Sequence, residues 1–596
     1  MEDKQTKIPF KKLFLSVFLA RILSFVALIT LIGFIIGIIL LFDSEETNIK
    51  KNTILHVQLK GLIAEKGSAE LDPLSLSINS TNGLSALLYG LESAASDDNI
   101  EGLFLDFGTL NCGMATAQEL RNGIQRFKES KKFVVAYNSG EYISQQAYYL
   151  ASVADEVYGF PTSTFQWLGL GGELYFIKDM LSKLGVEVAI LKGNNNDFKS
   201  AVEPLFLNKM SDSSRLQMNA YMQSTWNSML DDIIGSRPLT YDLLNSYASN
   251  LDIKNVEDAV DKGFMDKSLY KDEVLKILMK KVNVKAQKDL NLYQFSDYSN
   301  DVFFRNQTLS QAGEPTVAVI LAEGSIAKEG KGFSSDNICK LFREVRKMKS
   351  IKSVVFRVNS PGGSALASEE IWREVALTNK EMKVIVSMGD YAASGGYYVS
   401  TPADFIFADP TTLTGSIGVF GVLPYTKEML GKIGVDVDII GTHEHSVMSL
   451  NRKLSDAEFA IAQGEVNNIY QQFLERVSNG RNLTKEAVNQ IARGRVWTGA
   501  DAKSIGLVDS IGSLYTAINY AKSLNGNKSG EVIYFPKVKE DPFKELISFM
   551  EHQELNIEPS NNIMKHPVLQ SIERSIQFSS EWNGTMMRLP FQIEYK

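Results

Sequence analysis

Apolar positions along the 596 residues fall into three patterns. From Ile22 to Phe42 the run "ILSFVALITLIGFIIGIILLF" carries no charge. A helix of that length covers the roughly 30 Å of a bilayer's hydrocarbon core, so a membrane-spanning helix is predicted at 22–42. Further on, short β-branched runs ("VAVIL" from Val317, "SVVFRV" from Ser353, "KVIVSM" from Lys383, "FIFAD" from Phe405) alternate with stretches of helical period such as Ser368 to Leu377. That alternation predicts layered α/β domains. Two polar amphipathic segments, near Ser211 to Ile234 and Ser455 to Asn479, predict longer helices. Residues 289–315 are polar and aperiodic and read as a linker, and the chain's end, "RLPFQIEYK", alternates like a strand.

The pattern repeats at long range. "KDMLSKLGVEVAIL" from Lys178 returns as "KEMLGKIGVDVDII" from Lys427, a shift of about 249 residues. The same register aligns "GEYISQQAYYLAS" from Gly140 with "GDYAASGGYYVST" from Gly389, and Pro161 with Pro410. Upstream, "ILHVQLKGLIAEKG" from Ile54 pairs with "VAVILAEGSIAKEG" from Val317; downstream, "VEDAVDKGFMDK" from Val256 pairs with "GADAKSIGLVDS" from Gly499. The division that follows is a basic tail (1–21), the spanning helix (22–42), one α/β repeat (50–288), a linker (289–315), a second α/β repeat (316–535) and a tail (536–596).

Candidate chemistry emerges where the copies disagree. Ser394 sits on a glycine-flanked corner after an apolar strand, and its counterpart is Gln145; "SGG" stands opposite "QQA". An amide is no nucleophile, so only the second repeat kept that corner. Lys199, in "NNDFKSAVEPL", aligns with Met448, so the lysine survives only in the first repeat. Reciprocal losses of this kind point to one composite site, with Ser394 as nucleophile and Lys199 as general base. A lysine amine can take the serine proton once burial lowers its pKa from about 10.4 toward neutrality, and Phe198, Ala201, Val202 and Pro204 supply apolar surroundings.

Ser416, in "TLTGSIGVFG" and opposite Trp167, is placed to orient the lysine. Backbone N–H groups of Gly362 and Gly363 in "NSPGGSA", with that of Gly395, are candidates for an oxyanion hole; the first repeat has "GTLNCGMA" in place of the glycine pair. His443 and His445 are the rival base, within the second repeat alone, but Asn194 and Asn196 take their places in the first and leave Lys199 unexplained. Tyr397 and Tyr398 recur as Tyr148 and Tyr149, which favours packing.

Composition narrows the classes. With 44% apolar and 22% charged residues the chain is globular and long enough for several cores. The net charge of −8 and a single basic cluster (Lys4, Lys7, Lys11, Lys12, Arg21) argue against a nucleic-acid surface. Those cations, with Asp43, Glu45 and Glu46 beyond the apolar run, orient the N-terminus to the cytoplasm and the bulk of the chain to the outer face, the periplasm. A cleaved signal peptide would have a shorter apolar region and a small-residue cleavage site, whereas this run ends in "LLFDSEE". Cys112 and Cys339 make no disulfide framework, and no metal or cofactor is expected.

"RVNSPGGSALASE", "GDYAASGGYY", "LTGSIGVFG", "FKSAVEP" and "GRVWTGADAKSIGLVD" together resemble the bacterial signal peptide peptidase A family, also called protease IV, of the long, duplicated, membrane-anchored type. The resemblance implies a tandem duplication of a Clp protease/crotonase-like α/β domain. It also implies a serine-lysine dyad of Ser394 and Lys199, with Ser416 as the lysine's orienting partner. A homotetrameric dome opening toward the inner membrane is implied as well, with hydrophobic remnants of cleaved signal peptides as substrates. Two other classes compete on the residues alone: a crotonase-like thioester enzyme, which would use the oxyanion glycines without the serine, and a catalytically silent membrane scaffold.

Overall fold

The structure is a computed structural model that describes residues 49–59, 61–71, 78–330, 332–526, 530–537 and 586–588, with residue 21. The apolar run 22–42, nearly all of the basic tail and most of 536–596 lie outside the described residues. Among the described residues no helix is long and apolar enough to cross a membrane. The chain divides between Lys51 and Asn52, and everything below concerns the unit from Asn52 onward.

Two sheets of like topology make up its core. In the first repeat the parallel order is Lys267–Ser268, Glu156–Gly159, Phe133–Asn138, Ile100–Asp106, Thr53–Val57, Leu292–Gln294. In the second it is Ser510–Ile511, Phe405–Ala408, Lys383–Ala393, Ser353–Ser360, Val317–Glu323, Val532–Phe535. Continuous apolar strands such as "VVFRV" belong in such sheets, because helices cover both faces. The chain is therefore a tandem pair of α/β domains.

The two amphipathic segments form helices Asp212–Ile234 and Asp456–Arg481, each started by a serine side chain, Ser211 and Ser455, that accepts a backbone N–H. The segment 289–315, read as a linker, is instead the sheet-completing strand Leu292–Gln294 and the helix Phe295–Ala312. Its buried face is made of Phe295, Tyr298, Ser299, Gln307 and Ser310, so small and polar side chains hide the apolar period. Close approach explains that choice: a Cβ on Gly90, in the facing helix Leu84–Ser96, would overlap Ser299.

Among the contacts that join the repeats, a strand ladder and a buried ion cluster stand out. Glu187–Lys192 of the first pairs antiparallel with Phe420–Tyr425 of the second through six residue pairs. Beneath, Arg357 of the second repeat is fully buried and donates to Glu65 at 2.9 Å and Glu119 at 2.6 Å, both from the first. Burial pushes the Glu65 carboxyl up to about 7 against the opposing pull of Arg357.

Candidate active site

The strand Lys383–Ala393 ends at Ser394, which caps the short helix Gly395–Ser400 with φ +55° and ψ −116°. A non-glycine residue held there stores about 1–3 kcal/mol of strain. The turn is fixed by Ser394 N–H donating to Gly415 O at 2.8 Å and Tyr398 N–H donating back to Ser394 O at 2.9 Å. Glycine is required on the far side: a Cβ on Gly395 would lie 2.7 Å from Ser368 Oγ and 3.3 Å from Gly362 Cα, and one on Gly396 would lie 2.8 Å from Ser360 O. The serine corner is thereby pressed onto the "SPGG" turn.

Lys199 comes from the first repeat and crosses to the second. Its Nζ lies 2.8 Å from Ser394 Oγ, 2.9 Å from Ser416 Oγ and 3.0 Å from Ser416 O. Ser416, itself at φ +49°, donates its hydroxyl to Gly494 O at 3.3 Å, which leaves its lone pairs facing the lysine. Both Lys199 and Ser394 have 0% exposure. Burial alone holds the Lys199 amine well below the usual lysine range, with no carboxylate pulling it back. A neutral amine in this position donates two hydrogen bonds to Ser416 and has its lone pair free for the Ser394 hydroxyl. The apolar wall beside it includes Ala201, Val202, Leu205 and Phe420.

The oxyanion candidates separate. The N–H of Gly362 donates to Ser360 Oγ at 3.1 Å and is already engaged. Ile326 bonds to Gly362 O and Ser364 N, so the N–H of Gly363 points to the opposite edge. The N–H of Gly395 opens a helix and has no intrahelical acceptor. Spacing alone could not reveal that Gly362 spends its donor on a neighbour.

On the open edge of the glycine strand, Met586–Arg588 runs antiparallel to Gly362–Ser364 and also meets Phe420. This edge accepts an extended backbone between the glycines and the strand Phe420–Tyr425.

Sequence reasoning missed the clamp that sets the lysine. Phe198 N–H donates to Arg493 O at 2.9 Å, Ser416 N–H to Arg495 O at 2.7 Å, and Gly494 N–H to Ile417 O at 2.9 Å. The stretch Arg493–Arg495 is thus threaded between Lys199 and Ser416. Gln217 adds a second brace, donating to Phe198 O at 2.9 Å and accepting from Val496 N at 3.1 Å. The only hint in the sequence is the glycine of "GRVWTG", which carries φ +77° here. His443 and His445 are exposed and bonded to Thr442 and Glu458, while Ser394 Oγ faces Lys199. Tyr397 and Tyr148 hydroxyls donate to the carbonyls of Leu507 and Phe264 in the cores.

Comparison with known proteins agrees with this arrangement. The pattern of peptidase family S49 matches residues 126–285 and 376–528, more than half of the chain and both of the segments that carry the lysine and the serine. "Protease 4" of Haemophilus influenzae is 36% identical over 450 residues, 74% of this chain and 72% of that protein. "Serine protease SPPA, chloroplastic" of Arabidopsis thaliana is 30% identical over 82% of this chain and 72% of its own. The "Putative signal peptide peptidase SppA" of Enterococcus faecium is 32% identical over 37% of this chain and 69% of its own.

Proposed function

The chain belongs to peptidase family S49 and is a serine peptidase of the signal peptide peptidase A type, and from that premise we propose that Ser394 and Lys199 are its catalytic dyad. The observation that carries this reading is the 2.8 Å approach of Lys199 Nζ to Ser394 Oγ in a fully buried, carboxylate-free setting. Neutral Lys199 takes the proton of the Ser394 hydroxyl as Oγ attacks a peptide carbonyl. The N–H groups of Gly363 and Gly395 receive the developing oxyanion. The lysine ammonium, steadied by both oxygens of Ser416, then gives its proton to the leaving amine. Water, activated by the same amine, releases the acyl group from Ser394.

The substrate enters as an extended strand along Gly362–Ser364, the edge at which Met586–Arg588 lies. We place each repeat in the wider Clp protease and crotonase fold, on the parallel sheet that both share and on the glycine turn and serine corner that the second retains. The substrates are hydrophobic peptides left from cleaved signal peptides. Residues 22–42 anchor the chain in the inner membrane, with the N-terminus cytoplasmic and both repeats periplasmic; the charge asymmetry around that run supports the orientation.

A serine-directed phosphonate probe followed by mass spectrometry tests the dyad. Ser394 is expected to be labelled in the wild type and in a His443→Ala/His445→Ala double variant, and not in Lys199→Ala. Labelling that survives in Lys199→Ala and vanishes in the histidine variant would move the base into the second repeat.

A further inference from the structure

The turn that leads to Ser416 rests on a buried carboxyl pair that the proposed dyad does not use. Asp409 follows the strand Phe405–Ala408, and the backbone turns at 409–412, where Thr412 N–H donates to Asp409 O at 3.1 Å and Thr412 Oγ1 donates to Gly389 O at 2.8 Å. The next strand, Leu413–Gly415, pairs with Tyr391, Ala392 and Ala393, and Gly415 O receives the Ser394 N–H. On its other side the turn meets the first repeat. Thr411 Oγ1 donates to Gln118 Oε1 at 3.2 Å, Tyr221 donates its hydroxyl to Thr411 O at 3.1 Å, and the Asp409 side chain hydrogen-bonds that of Glu119. Gln118 and Glu119 are neighbours on the helix Met114–Glu129.

A bond between two carboxyl groups needs a proton, because an ionised carboxylate only accepts. Arg357 Nη1 holds Glu119 Oε1 at 2.6 Å, whereas Glu119 Oε2 and Asp409 Oδ2 have no donor among the described residues. Glu119 is 0% and Asp409 1% exposed, which keeps bulk water from supplying one. A single hydrogen between those two oxygens satisfies both. We infer that Glu119 and Asp409 hold one proton between them, and that this proton seats the turn 409–412, and with it the strand ends at Ser394 and Ser416, on the first repeat.

The surroundings agree. Against the Arg357 guanidinium stand Glu65, Glu323 and Asp390 as well as the pair. Arg357 donates to Glu65 at 2.9 Å, Glu323 accepts from Glu65 N–H at 3.0 Å, and Asp390 accepts from Thr116 N–H at 2.9 Å and from its hydroxyl at 2.6 Å. Tyr149, whose hydroxyl donates to Asp232 and whose ring lies under Arg121, also faces the pair, as does Tyr534. A single guanidinium cannot neutralise so many buried carboxyls, and burial, with Glu119 beside it, pushes the Asp409 carboxyl well above the usual range. The repeat register adds an independent mark. Pro410 aligns with Pro161, so Asp409 is matched by Phe160, which carries no proton to share. Of the two turns, the carboxyl stands at the one beside Ser394. Between the ordinary carboxylate range and the pair's own raised value, the folded chain binds one proton more than the unfolded chain, so stability falls as pH rises across that window. Above it two buried anions face each other and the turn loosens. The shared proton stands on its own geometry, while its bearing on activity rests on the dyad reading.

The test compares the full chain in detergent with Asp409→Asn and Glu119→Gln. Each variant puts an amide N–H in place of the shared hydrogen and keeps one negative charge in the pair. Infrared spectra are taken at about pH 7.5, above the ordinary carboxylate range. The wild type is expected to show the carbonyl stretch of a protonated carboxyl that both variants lack, as a band in the difference spectrum. The second readout is the pH profile of Ser394 labelling by the phosphonate probe. Its alkaline fall is expected to move up by about one pH unit or more in both variants, while the rising limb set by Lys199 stays in place. A difference spectrum without the carboxyl band, as two ionised carboxylates bridged by water would give, or an alkaline limb unmoved in both variants would overturn the inference. If Ser394 proved unreactive at every pH, the dyad reading would fall. The infrared band, and an alkaline decline of melting temperature that is shallower in both variants, would still decide this one.

Discussion

Gly494→Ala isolates the clamp on the lysine. Gly494 sits at φ +77°, and a Cβ there would lie 2.6 Å from both Lys199 N and Lys199 Cβ, against 3.4 Å for the start of ordinary contact. Relieving that overlap needs a separation of about 0.8 Å, which Lys199 cannot absorb as a flexible tip because the colliding atoms are its backbone and first side-chain carbon. Carried to Nζ, it would stretch the 2.8 Å approach to Ser394 beyond hydrogen-bonding range. A misplacement near 1 Å costs about 100-fold in rate, roughly 2.7 kcal/mol of barrier. The backbone itself costs about 1–2 kcal/mol of stability for an L-residue in the left-handed region. Gly506→Ala is the matched control, with φ +80° and nothing within 4 Å of the new Cβ. Both variants should lose similar stability in urea titrations, and only Gly494→Ala should lose kcat/KM on a fluorogenic peptide and the rate of phosphonate labelling. Activity within threefold of wild type in Gly494→Ala, or an equal loss in Gly506→Ala, would refute the reasoning.

Other consequences can be checked directly. Ser416→Ala removes one of the two oxygens that hold Nζ and is expected to lower kcat about 10–100-fold with KM little changed, a split that steady-state kinetics reads. Because burial disfavours the ammonium form of Lys199, the amine becomes competent as pH rises through a pKa well below 10.5, so kcat/KM should climb with pH along that limb; Lys199→Arg, which cannot deprotonate, should be inactive throughout. Arg357→Met strips the cation from Glu65 and Glu119 and should cost about 3–5 kcal/mol in denaturant unfolding, since uncompensated buried carboxylates remain.

Much of this architecture was written locally. β-branched runs, serine caps and a repeat of about 249 residues are properties of neighbouring side chains or of the chain compared with itself, so the sequence alone determined an α/β duplication and marked positions 145/394 and 199/448 as unequal. The helix Phe295–Ala312 escaped because serine and glutamine (Ser299, Gln307, Ser310) share its buried face with Phe295 and Tyr298, and Ser299 is held small by its contact with Gly90. Tertiary structure decided what depends on distance between remote residues. It set Lys199 Nζ 2.8 Å from Ser394 Oγ across 195 positions, committed the Gly362 N–H to Ser360, and wedged Arg493–Arg495 between the lysine and Ser416. Side-chain identity records which groups are present; only the packed fold, in which hydrogen-bond partners compete for each donor and burial sets the charge of an amine, records which of them are free to react.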